Sequence, residues 1–190
     1  PQVFNPSARW MEEFHAEVAR EPDWLGGLVY APWVPCTLEE LRGRTPARYP
    51  IRNYPDVTHS LNCQFPVEDW DLAFALTLGR ECYNPRPFAE KHIHNLQAPA
   101  VMGNLVYSEG INDDLNKLIW LDQDWDPDRP AIETLRDFGR LFVGPDFAEG
   151  VAQGLLALER NWRGPLAANE GVETTLMQWQ AMERARRGAA

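Results

Sequence analysis

Glu109 is the residue of this chain best placed to do chemistry. It sits in Tyr107-Ser108-Glu109-Gly110, directly after the apolar run Met102, Leu105, Val106 and just before Asn112, Asp113, Asp114 and Asn116. A carboxylate where a strand ends and a helix begins stands on the edge at which parallel α/β folds collect their ligands. A second polar end holds Asn53, Tyr54, Asp56, Thr58 and His59, and a third holds Tyr30 and Trp33. Parallel strands would bring all three ends to one rim. Asp56 and Glu109 then form a pair of carboxyls from separate segments, able to divide general-acid and general-base work between them. Tyr30, Trp33, Tyr54 and Tyr107 offer flat apolar faces for a substrate to rest on. Asn53, His59, Arg86, Asn112, Asp113 and Asp114 offer partners for substrate hydroxyls.

Plainer readings of the same residues exist. Acidic groups in a helix's first turn complement its dipole and its free N–H groups, which accounts for Asp113 and Asp114 without any substrate. The four aromatics can equally be packed rim residues. His59 together with Asp56, Glu109 and Asp113 has the ligand types of a metal-dependent hydrolase. However, the D-x-x-H spacing lacks the helical geometry of H-E-x-x-H, so no metal and no cofactor is assigned. His92 and His94 fall on a different helix, expected at the surface.

These groups need elements to hold them. Trp10, Phe14 and Val18, four residues apart, predict a helix over 8–19. Leu25 to Val34 reads as a strand, and Thr37 caps a short helix, LEELRGR, with Glu39 or Glu40 in its first turn. Tyr49 to Ser60 reads as a second strand in which Pro50 and Pro55 limit the ladder. A helix over Leu72 to Leu78, an irregular YNPRP loop and a helix from Phe88 to about Leu96 lead to the strand that begins at Val101. That strand is expected to be buried on both faces. Ile111, Leu115, Leu118 and Ile119 lie on one face of the next helix, capped by Asn112 or Asp113. Asp122 to Pro130 reads as a hinge, and three helical stripes follow, ending near Phe142, Trp162 and Met182. The expectation is an α/β fold, a partial (β/α) barrel with parallel strands over residues 1–121, followed by an all-helical region over 122–190.

The 190 residues, 44% of them hydrophobic, can bury a core. They fall short of the roughly 200 to 400 of a complete eight-fold barrel. With a helix starting almost at Pro1, the chain is expected to be the C-terminal part of a longer protein whose remainder precedes Pro1. A net charge of -10 argues against nucleic acid as a partner. The best basic cluster, Arg184, Arg186 and Arg187, reads as a solvated helix end. No run approaches the roughly 20 apolar residues of a membrane span. Cys36, Cys63 and Cys82, odd in number and without a C-x-x-C pair, read as buried free thiols and leave the compartment open. No G-x-S-x-G elbow, phosphate loop or dinucleotide fingerprint occurs.

Several segments together carry a resemblance: YPIRNYPDVTHSLNCQFPVEDWDLAFALTLGRE, the YNPRP loop, YSEGINDDLNKLIW, and WDPD followed by LRDFGRLFVGP. They resemble the C-terminal part of a bacterial TIM-barrel glycoside hydrolase with a helical domain after the barrel. The resemblance implies a carbohydrate-active enzyme, an oligosaccharide or glycoside substrate, and the carboxylates Asp56 and Glu109 as its catalytic groups. A non-catalytic sugar-binding or structural module is the alternative from another class.

Overall fold

Local chemistry sets the first elements of the computed structural model, which describes residues 6–58, 64–65, 85–109 and 113–188. The Ser7 hydroxyl accepts from the Trp10 backbone N–H and starts helix α1, Ala8–Val18, which buries Met11, His15 and Val18. Strand β1, Leu28–Tyr30, follows. Thr37 then opens helix α2, Leu38–Arg44, through a complete capping box with Glu40. Strand β2, Ile51–Asn53, alternates buried, exposed and buried, as a sheet with one covered face requires. Leu38, Leu41 and Ile51 form a small core with Phe14, Leu28, Tyr30 and Val101 packed against it.

β1 pairs with β2 in parallel, Leu28 opposite Ile51 and Tyr30 opposite Asn53. A second parallel pair joins β3, Asp56–Thr58, to β4, Tyr107–Ser108. One isolated parallel bridge, Asn53 to Asn104, connects the two runs between the pairs. Pro50 and Pro55 act as acceptors only, taking bonds from Leu28 N and Tyr107 N.

The remaining elements among the described residues are helical. Helix α3 spans Pro87–Gln97, α4 Asp113–Trp125, α5 Ala131–Phe142, α6 Ala148–Asn161 and α7 Gly171–Gly188. Leu115 and Ile119 of α4 meet Leu135 of α5 and Val151, Ala152, Leu155 and Leu156 of α6 in the larger core. Close approach depends on glycine at two contacts. A Cβ on Gly139 would come within 2.9 Å of the Ala148 backbone, and one on Gly154 within 2.8 Å of the Trp179 ring on α7. Gly144, at φ 127°, takes the chain out of α5 in a conformation that L side chains avoid.

This architecture overturns the expected partial (β/α) barrel. Seven helices dominate the described residues, and the four strands, none longer than three residues, make two small sheets and no arc of a barrel. With the barrel falls the resemblance to a TIM-barrel glycoside hydrolase. The run after Val101 shows the physical reason: Met102 and Leu105 remain 63% and 56% exposed, so it is not a strand enclosed on both faces. Two local expectations also change. α4 continues through Asp122 to Trp125 where a hinge was expected, and His94 is buried although its helix was expected at the surface. The expected helix over Leu72 to Leu78, and Cys63 and Cys82, lie outside the described residues. Cys36 is a half-buried free thiol.

Candidate functional site

The β3–β4 pair gathers the chemistry. Asp56 opens β3 and stands opposite Tyr107 in the parallel register, with an irregularity between Asp56 and Thr58 that re-aims the strand end. Gln64 brackets Asp56: its side-chain oxygen accepts from Asp56 N at 2.8 Å, and its own N–H donates to Asp56 O at 3.3 Å. Asp56 is buried, 3% exposed, whereas Glu109 lies at the surface just beyond β4. The Tyr107 hydroxyl donates to Glu109 Oε2 at 2.9 Å. Tyr54 meets the Tyr107 ring edge-on, with centroids 6.1 Å apart.

Both carboxylates are felt by both phenols. The hydrogen bond to Glu109, then burial and the negative charges of Glu109 and Asp56, raise the Tyr107 hydroxyl above its ordinary range. Burial, then Asp56 and Glu109, do the same to Tyr54. Each phenol thus stays a donor beside two acidic groups. The arrangement sets one carboxyl at the surface, Glu109, met by a tyrosine hydroxyl, and an enclosed one, Asp56, on the paired strand.

Other candidates are committed elsewhere. Tyr30 donates its hydroxyl to the Cys36 carbonyl at 3.1 Å and ties down the turn after β1. Trp33 is half exposed and sits at φ 67°, within that turn. Asn53 is buried and donates its side-chain N–H groups to Gln97 Oε1 and Asn104 Oδ1, which gives it a role between chain segments. Arg86 is buried as well. Its backbone N–H donates to Asn116 Oδ1, its guanidinium donates to the Phe65 carbonyl, and Glu90 lies 3.8 Å away. Asp114 is exposed beside Lys117, 3.6 Å off, as an ordinary first-turn acid. Asp113 opens α4. His59 and Asn112 lie outside the described residues.

A polar seam between α3 and α4 was not foreseen. Trp120 Nε1 donates to Glu90 Oε2 at 2.6 Å, Lys91 Nζ donates to Gln123 Oε1 and to the Pro127 and Arg129 carbonyls, and His94 Nε2 meets Asp124 Oδ1 at 2.9 Å. Glu159 of α6 accepts from Phe88 N and Ala89 N and so supplies the N-terminal cap that α3 lacks from its own sequence. The sequence signal is the pair Glu90 and His94 at i, i+4, alongside Lys91 and Asn95 at the same spacing.

Among the described residues, no group of three or more His, Cys, Asp or Glu side chains is arranged to hold a metal ion. No helix among them is long and apolar enough to cross a membrane. No family model, curated protein or solved structure matches the chain.

Proposed function

We propose that Asp56 and Glu109 act as a carboxylate pair that hydrolyses a glycosidic bond. The observation that carries the reading is the Tyr107 hydroxyl donating to Glu109 Oε2 on a strand whose paired neighbour begins with Asp56. A donated hydroxyl hydrogen favours the ionised form of its acceptor, which makes Glu109 the nucleophile or the base. Asp56 then carries the proton that the leaving oxygen takes up. The Tyr54 and Tyr107 rings supply the apolar face on which a sugar ring can rest.

Release of nitrophenol from a panel of nitrophenyl glycosides by the full chain tests this. The wild-type chain turns over at least one member of the panel, and the double variant Asp56→Asn/Glu109→Gln, folded by circular dichroism, does not. Equal rates for the two proteins on every member of the panel would remove the proposal.

A further inference from the structure

β2, which precedes Asp56 in the chain, borders a separate pocket of about 350 Å3, completed by the segment after α3 and the last turn of α4. Arg52 and Asp56 are four residues apart, about 13 Å along an extended chain, so the pocket stands clear of the carboxylate pair. Its size suits one small molecule rather than a polymer.

Two opposite charges line it. Arg52 is the exposed member of β2, and among the described residues its guanidinium makes no ion pair or hydrogen bond. Asp124 is accessible from the pocket and partly used: Oδ1 accepts from His94 Nε2 and from Asn104 Nδ2 at 2.6 Å, and Oδ2 accepts from Asn104 N at 3.2 Å. A carboxylate offers about four acceptor positions, so Oδ2 keeps one. The other polar groups are occupied. Gln123 accepts from Lys91 and donates to the Arg129 carbonyl, and His94 Nδ1 faces Asn95 Oδ1 at 2.8 Å. Both ring nitrogens of His94 are thus engaged, which leaves Arg52 and Asp124 as the groups that meet a ligand. Ala98, Val101, Met102 and Pro127 supply apolar wall.

We propose that this pocket binds a small zwitterion of the α-amino-acid type, its carboxylate on Arg52, its ammonium on Asp124 and its side chain against the apolar wall. Arg52 and Asp124 line one cavity without pairing to each other, and a ligand bearing both charges completes both. A simple anion meets the repulsion of Asp124, a simple cation that of Arg52, and a neutral polyol leaves both charges unanswered.

Isothermal titration of the full chain with L-leucine, 4-methylpentanoate and 3-methylbutylamine tests the proposal, because the three share an apolar body and differ in charge. L-Leucine binds at least tenfold tighter than either singly charged analogue, and Arg52→Gln weakens it at least tenfold. Arg52 is exposed, so that variant keeps the wild-type urea unfolding midpoint. Asp124→Asn narrows the gap between L-leucine and 4-methylpentanoate. No saturable binding of L-leucine, equal binding of the amine alone, or wild-type affinity in Arg52→Gln would each overturn it.

Discussion

Replacing Glu90 with glutamine should remove most of the pH dependence of stability between mildly acidic and mildly alkaline solution. Glu90 is wholly buried on α3, with Trp120 Nε1 donating to one oxygen and the Arg86 guanidinium 3.8 Å from the other. Burial outweighs the Arg86 charge and the Trp120 hydrogen bond and pushes the carboxyl from 4.5 up to about 7. The folded chain therefore holds this proton more tightly than the unfolded chain does. Its contribution to stability is complete below about pH 4.5 and is lost as pH rises through about 7. At roughly 1.4 kcal/mol per pH unit, the gap between 4.5 and about 7 amounts to about 3 kcal/mol. Glutamine keeps the shape and the acceptor for Trp120 without a charge to bury. In urea unfolding at about pH 5 and about pH 8, the wild-type chain should lose about 2 to 3 kcal/mol more across that interval than Glu90→Gln. Glu159 is also raised, first by burial, but it is present in both proteins and largely cancels in the comparison. Parallel pH profiles for the two proteins, or a variant less stable than wild type at the higher pH, would refute the reasoning.

Other expectations follow from particular contacts. Glu159→Ala removes the cap on α3 and should cost about 1 kcal/mol by urea unfolding, within the roughly 0.5 to 2 typical of lost caps. Lys91→Met leaves the Gln123, Pro127 and Arg129 oxygens without their shared donor and should cost about 1 to 3 kcal/mol by the same measurement. Gly154→Ala drives a methyl group to 2.8 Å from the Trp179 ring; a loss of about 1 to 3 kcal/mol and a shifted tryptophan emission are expected as α7 is displaced. Glu109→Gln removes the leading cause of the raised Tyr107 hydroxyl, so ultraviolet titration should show one tyrosine ionising at lower pH than in wild type.

What the sequence disclosed was local. The Ser and Thr caps of α1 and α2 act within four residues, and Thr37 with Glu40 forms the box that its spacing announces. The stripe of Val151 and Leu155 reached the core for the same reason, since a helical period is written into one segment. Sheet membership is a relation between distant segments. The apolar residues after Val101 gave strand propensity without revealing that Met102 and Leu105 would face solvent. α3 misled in the opposite sense: Phe88 and Leu96 lie 48% and 68% exposed while Glu90 and His94 are buried, because Trp120 and Asp124 of α4 supply their partners. At the candidate site, Asp56, Tyr54, Tyr107 and Glu109 were legible as strand-end residues. That Arg86 and Asn53 would be taken up between chain segments was not, since their partners Phe65, Asn116, Gln97 and Asn104 lie 21 to 51 positions away and meet them only in the folded chain.

The division of labour between Asp56 and Glu109 is tested most directly by how each variant responds to the leaving group. General acid assistance is worth about 10² to 10⁴-fold, and an activated dinitrophenyl glycoside needs little of it. Asp56→Asn should lose about 10²-fold or more in kcat/KM on an alkyl glycoside and far less on the dinitrophenyl compound, while Glu109→Gln loses heavily on both. Equal losses on the two substrates in Asp56→Asn, or a Glu109→Gln variant that keeps its rate on either, would contradict the account.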